Sequence, residues 1–344
     1  HTVPLSLSSP PFLSQAYKQT HSNHLRAALL ECLSGFLFSP FFLPAIFFAM
    51  KCWLPLLPVL STLLCLSQGD IGDFSPCLNF FYRYWPPSGL SGTPICQNYT
   101  NRYYFATLYS RERRSPWFSA YLYTTPAGKR PKGVWKYEPQ LANSNASGVM
   151  LPFPIPPKKV DQTVVKSQAV QQDYINSSYT RGHLNPSLHH QNRSERQSTF
   201  TLTNVVPQKM DSNYGPWAEL ERNVNVTLNK YCAGPAYIVT GIIPYRMDRW
   251  LKDEHRVAIP EYLWSAYCCP TYSQNLPESL RRTFPTFAAI GRNDPNSTEE
   301  MVPVDRTKKK FVGYDVRPMP LTDLEIYLRE RYGREIAVFS KQCL

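Results

Sequence analysis

Thirty-two prolines are spread along this 344-residue chain, and they restrict what it can fold into. Proline lacks a backbone donor and clashes with the helical turn before it, so regular elements must fit between prolines or start on one. Tyr, Phe and Trp are dispersed among them and no internal repeat occurs, which predicts short strands joined by many ordered loops. Apolar alternation over 117–123, the run A-Y-I-V-T-G-I over 236–242 and the segment 284–290 read as sheet strands. Residues 321–332 read as a closing helix, with Leu321, Leu324, Tyr327 and Leu328 on one side and Gly333 ending it. Residues 167–174 also read as helical, and the Pro-rich stretch 152–159 is a loop too short to link two domains. The fold class expected is α+β, in a single domain.

The first 49 residues read unlike the rest, with few charges and an apolar run over 35–50 broken by Pro40 and Pro44. Met50-Lys51 then opens a fresh pattern: one positive charge, an apolar stretch over 53–66 and Ser67-Gln68-Gly69. Those are the three regions of a secretory signal peptide. The 14-residue apolar stretch is short of the roughly 20 residues a membrane span needs. Residues 1–49 are therefore expected to be upstream sequence outside the natural protein, and 50–69 a cleaved signal. Residues 70–344 would be the secreted domain, with no stable membrane insertion. The alternative is one interrupted anchor over 35–66, against which Lys51, Pro40, Pro44, Pro55 and Pro58 argue.

Of nine cysteines, Cys32, Cys52 and Cys65 fall in the segment to be removed. Cys77, Cys96, Cys232, Cys268, Cys269 and Cys343 remain, an even set that allows three disulfides in 15 pairings. Zinc is the competing use, but no C-x-x-C pair occurs and adjacent Cys268-Cys269 lack structural-zinc spacing. Disulfides are the expectation. N-x-S/T sequons at Asn98, Asn145, Asn176, Asn192, Asn225 and Asn296 all lie in 70–344 and point to a secretory route.

The net charge is +12, and residues 70–344 keep 34 basic against 24 acidic residues, a net +10. Such an excess favours polyanions through counterion release but does not separate DNA from RNA, heparan sulfate or acidic membranes. The run Lys308-Lys309-Lys310 reads as a solvated loop. Arg111, Arg113 and Arg114, beside Tyr109 and Trp117, and Lys129, Arg130 and Lys132, before Trp135, are better candidates to meet a polyanion, because aromatic side chains can stack on unpaired bases.

The densest chemistry lies between Thr180 and Glu221: T-R-G-H-L-N-P at 180–186 and F-T-L-T-N-V-V-P-Q-K-M-D-S-N-Y-G-P-W-A-E-L-E at 200–221. Hydrolysis of a phosphodiester needs an activated water, a cation to neutralise transition-state charge and help for the leaving oxygen. His183 suits the base, since imidazole titrates at about 6.5 when unperturbed. Gly182 permits a close approach that a side chain would obstruct, and Pro186 stiffens the exit. Asn213 offers a neutral oxygen suited to Mg2+, which keeps several waters and takes few protein ligands. Pro216 fits the first turn of a helix in which Leu220, Val224, Leu228 and Tyr231 form an apolar stripe. Asn213 would lie just before that helix, Trp217 and Glu221 would share one face, and the N-terminal dipole could face a phosphate.

With R-R-S-P-W-F-S-A-Y at 113–121, W-K-Y-E-P-Q-L at 135–141, E-Y-L-W-S-A-Y-C-C-P at 261–270 and F-P-T-F-A-A-I-G-R-N at 284–293, the chain resembles the DNA/RNA non-specific endonuclease family, a ββα-metal (His-Me finger) nuclease group. The resemblance implies a central antiparallel sheet with a catalytic ββα element on one face. It implies His183 as general base, Asn213 as ligand of Mg2+ or another hard divalent cation such as Mn2+, and Glu221 as support for the metal's waters. Arg181 and Asn204 fall on motif positions as well, and Arg130 matches an upstream substrate clamp. DNA and/or RNA would be the substrate.

Two departures stand out. The family turn commonly begins with Asp where this chain has Thr180, and an arginine one turn beyond the helix glutamate is replaced by Asn225. Arg222 is close in sequence but is expected to point to a different face. These changes motivate a second hypothesis, a catalytically weak or inactive binding protein for nucleic acid or other polyanions. Among the remaining residues, His189, His190 and His255 are expected on the surface, Trp217 in the core, and Asn204 either against substrate or hydrogen-bonded to backbone beneath the site.

Overall fold

The computed structural model describes residues 71–343 apart from Pro157 and Thr283. The two N-terminal segments proposed above, 1–49 and 50–69, lie outside the described residues.

Among the described residues eleven strands form: β1 Thr93–Tyr99, β2 Arg102–Ser110, β3 Ser115–Leu122, β4 Lys136–Tyr137, β5 Leu151–Pro152, β6 Thr180–His183, β7 Val205–Gln208, β8 Tyr237–Trp250, β9 Ala258–Cys268, β10 Thr286–Arg292 and β11 Val316–Met319. Seven of them make one sheet in the order β1-β2-β3-β8-β9-β10-β11, with every neighbouring pair antiparallel. The other four make two small pairs, β4-β5 and β6-β7. This is the expected α+β fold with a central antiparallel sheet, and the ββα element sits beside it.

Strand alternation gives the sheet two apolar faces. Val239 and Ile243 of β8, with Ala288 and Ile290 of β10, face one core. Ile238 and Ile242, with Ala289, face the other. Four helices matter here: α1 Arg193–Ser198, α2 Met210–Tyr214, α3 Pro216–Tyr231 and α4 Leu321–Tyr332. Leu321, Leu324 and Leu328 of α4 pack on the first face; Trp217, Leu220, Val224 and Leu228 of α3 pack on the second. Full burial of each such side chain stabilises by about 1.5–3 kcal/mol. The two helices thus sandwich the sheet, and Trp217 is a core residue, as its place in the apolar stripe implied.

The strands extend or shift slightly from the alternation pattern. The 236–242 run continues to Trp250, because β8 carries on past Pro244 with an exposed polar tip that no longer alternates. The 167–174 helix divides into two short ones, Gln162–Ser167 and Gln171–Tyr174. Tertiary hydrogen bonds supply the reason. Gln168, fully buried, accepts from the Glu138 backbone N–H and donates to its carbonyl at 2.8 Å each, while Ala169 N–H donates to the Tyr109 hydroxyl.

Among the described residues three disulfides form, Cys77–Cys96, Cys232–Cys269 and Cys268–Cys343. Adjacent Cys268 and Cys269 join opposite cores: Cys268 and Cys343 pack with α4, whereas Cys269 and Cys232 pack with α3. Among the described residues no helix is long and apolar enough to cross a membrane.

Candidate active site

β6 and β7 pair antiparallel with Thr180 opposite Gln208, Gly182 opposite Val206 and His183 opposite Val205. The chain then enters α2, turns at Gly215 and continues into α3 with Pro216 in its first turn. A Cβ at Gly215 would overlap the Asp211 carbonyl, so the tight α2–α3 joint needs glycine. Asn213 therefore belongs to a one-turn helix of its own, one turn earlier than a helix starting at Pro216 implied. Its Nδ2 donates to Thr180 Oγ1 at 2.8 Å, and Thr180 Oγ1 donates to the Gln208 carbonyl at 2.8 Å.

This hairpin and helix border a cleft of about 850 Å³. His183, Asn213, Glu221, Arg181 and Arg130 all line it, and so does Arg222. Arg222 was expected on another face of α3; its long side chain reaches the cleft from the same first turns that carry Glu221, because a helical-wheel angle takes no account of side-chain length.

His183 stands among aromatic rings: Trp135 lies 5.5 Å away and Phe200 meets it edge-on at 5.2 Å. Its Nε2 is sealed from solvent and has no hydrogen-bond partner, although the residue as a whole keeps partial exposure. Burial, then Arg130 and Arg181, depress its pKa to about 3, so the imidazole is neutral across the ordinary pH range, with a lone pair free to accept a proton. Glu221 moves the other way. Burial raises its carboxyl to about 8, partly offset by Arg130, Trp217 and Arg222.

Two of the arginines are braced by aromatic faces. Arg181 sits 4.5 Å over Trp135 and Arg130 5.3 Å over Phe200. Buried Arg196 of α1 donates to the His190 and Gly128 carbonyls, fastening the loop that carries Arg130. Sequence reasoning passed over Arg196, and a lone arginine in a polar helix carries no signal that it will be buried.

Asn204 is fully buried beneath the hairpin and does not line the cleft. Its Oδ1 accepts from Ser119 Oγ and Asn185 N–H, and its Nδ2 donates to the Asn185 and Thr199 carbonyls. That geometry leaves no atom for substrate and makes it a support for the turn after His183.

His189 and His190 are buried, contrary to expectation. His189 bonds the Tyr121 hydroxyl through Nδ1 and the Glu221 carbonyl through Nε2, each at 2.9 Å, and His190 Nε2 meets Asn185 Oδ1 at 2.6 Å. Polar partners presented by β3 and α3 make their burial tolerable, which a local sequence pattern cannot reveal. His255 is exposed, as expected. Arg111, Arg113 and Arg114 do not reach the cleft. Arg113 pairs with Asp248, Arg111 donates to the Leu141 carbonyl, and Arg114 donates to the Lys166 and Arg256 carbonyls. Asn225, in the place of the family arginine, accepts from the Tyr123 hydroxyl at 2.7 Å.

An antiparallel hairpin carrying a histidine, followed by a helix carrying an asparagine, beside a cleft lined by Arg130, Arg181, Arg222 and Glu221, defines a ββα-metal type of nuclease scaffold. The chain belongs to the DNA/RNA non-specific endonuclease family, which matches residues 90–320. It is 34% identical over 202 residues to the human endonuclease domain-containing 1 protein, covering 57% of this chain and 39% of the relative. The mouse mitochondrial nuclease EXOG is 31% identical over 106 residues, 28% of each chain. A chain in a solved EndoG/EndoGI complex aligns at a TM-score of 0.43 and 15% identity, over 76% of this chain and 89% of that one. The chain thus spans about two fifths of the length of the endonuclease domain-containing 1 relative.

Proposed function

We propose that this protein is a secreted, metal-dependent endonuclease that hydrolyses phosphodiester bonds of DNA and/or RNA with little sequence preference. The observation that carries the reading is His183, a neutral imidazole on the hairpin strand that lines the same cleft as Asn213 of the following helix.

In this reading His183 takes the proton from an attacking water. Arg130, Arg181 and Arg222 hold the phosphate from the walls of the cleft, and Glu221 orders water beside it. The donor set suits a hard divalent cation such as Mg2+ or Mn2+: Asn213 Oδ1 is a neutral oxygen that meets no protein donor, and Glu221 is the acidic side chain lining the same cleft. No group of three or more His, Cys, Asp or Glu that could hold a metal occurs among the described residues, so water and substrate oxygens would complete the shell. A bound cation would neutralise charge on the pentacovalent phosphate and the departing oxygen. Three disulfides support an oxidising, secretory destination, and exposed sequons at Asn145, Asn176 and Asn296 are accessible to a glycan.

A second reading, a polyanion-binding protein of negligible turnover, is favoured by Asn225, whose amide oxygen is tied to Tyr123 where a family arginine would serve the phosphate. Digestion of plasmid DNA and of RNA with Mg2+ or Mn2+, compared with His183→Ala, separates the two. A loss of about 10²–10⁴-fold in rate is expected of the variant. Salt-sensitive binding without product at any metal concentration supports the second reading instead.

A further inference from the structure

We infer that Thr180 is the positioning residue that sets which end of the Asn213 carboxamide faces the cleft, and so prepares its oxygen for a divalent cation. This rests on the metal-site reading above and deepens it. A threonine hydroxyl has one proton and two lone pairs. Thr180 Oγ1 gives its proton to the Gln208 carbonyl at 2.8 Å, an acceptor fixed by the β6–β7 pairing. Toward Asn213 the same oxygen can then only accept. The amide group that meets it at 2.8 Å must be Nδ2, and Oδ1 is turned the other way. The orientation follows from proton bookkeeping along Gln208, Thr180 and Asn213. Thr180 and Asn213 both line the cleft, so the relay runs along its wall.

A carboxylate at 180 could also accept from Nδ2, but it would lie against the Gln208 carbonyl with no proton to share. A hydroxyl satisfies both neighbours and adds no charge of its own. The threonine in this chain is thus a working part of the site, acting through the amide it orients.

The test is Mn2+ binding to the metal-free protein, followed by electron paramagnetic resonance of free Mn2+, for wild type, Thr180→Val, Thr180→Ser and Asn213→Ala. Valine keeps the shape and removes both hydrogen bonds; serine keeps the hydroxyl. Thr180→Val should weaken Mn2+ binding by about 10–100-fold, the usual effect of losing a group that orients a ligand. Thr180→Ser should stay within a few-fold of wild type, and melting temperatures should confirm that all variants are folded. In nuclease assays Thr180→Val should need a correspondingly higher metal concentration for half-maximal rate. Wild-type Mn2+ affinity in Thr180→Val, alongside weakened binding in Asn213→Ala, overturns the inference and leaves the metal site standing. A serine variant as weak as valine also overturns it. Unchanged binding in Asn213→Ala removes the metal-site reading itself, and the inference with it.

Discussion

Gln208 lies against Gly182 so closely that a Cβ on the glycine would overlap the Gln208 Oε1 and stand 2.6 Å from its Cβ. Gln208 cannot easily retreat, because it is fully buried and its Nε2 donates to Ser212 Oγ at 3.0 Å. Gly182→Ala should therefore cost about 1–3 kcal/mol by overpacking and displace His183 next to it. Thermal melting reads the first effect and nuclease rate the second; an alanine variant with wild-type melting would show that the two strands have slack.

Glu221→Gln separates charge from shape in the cleft. The Glu221 carboxyl is raised to about 8 in the folded metal-free protein, above its usual value. A raised pKa stabilises the fold below the unfolded value, and that contribution is lost as pH rises through the folded one. Wild type should thus lose stability progressively from about pH 4.5 to 8 relative to Glu221→Gln, while the variant loses nuclease activity at every pH. Parallel melting curves for the two proteins across that range would show that Glu221 is not held neutral.

The acid side is governed by histidines. Burial depresses His189 to about 4 and His190 to about 3. Their folded pKa values lie below the unfolded 6.5, so the stability they confer is present above 6.5 and lost as pH falls toward 4 and 3. The melting temperature should drop by several degrees from pH 7 to pH 4.5, and His189→Asn should flatten that slope. A pH-independent melting temperature over this interval would contradict the burial of both rings.

Arg222 gives a prediction about substrate that requires no turnover. If it meets a phosphate, Arg222→Ala should weaken DNA binding evenly across sequences and lower the salt slope by about 0.7–0.9. The same change in Arg113→Ala should be absent, because Arg113 is engaged by Asp248 at 2.8 Å. Equal slopes for wild type and Arg222→Ala would remove Arg222 from the substrate path.

Cys268–Cys343 spans 75 residues in sequence, so its loss is expected to cost about 2–5 kcal/mol. Cys343→Ser should lower the melting temperature yet leave the cleft arginines in place, which DNA binding at low salt can check.

Much of this arrangement was legible in the sequence because it is local. Thr180 to Glu221 carries the hairpin, the glycine contact and the helix stripe within one segment, and Leu220, Val224 and Leu228 repeat at helical spacing toward a buried face. What escaped is decided by distant partners. His189 and His190 look like a polar loop until Tyr121 and Asn185 are brought against them. Gln168 interrupts a helix-like run because Glu138, thirty residues away, takes both ends of its amide. Asn204 reads equally well as a substrate contact or a prop until its four hydrogen bonds are counted.

The neighbouring sulfurs of Cys268 and Cys269 look upward and downward from the end of one strand, each toward a different layer. With a wall of β-structure between them, neither can reach the other's mate without dismantling that wall. Two bridges that are one residue apart along the chain are thereby kept from scrambling by topology alone.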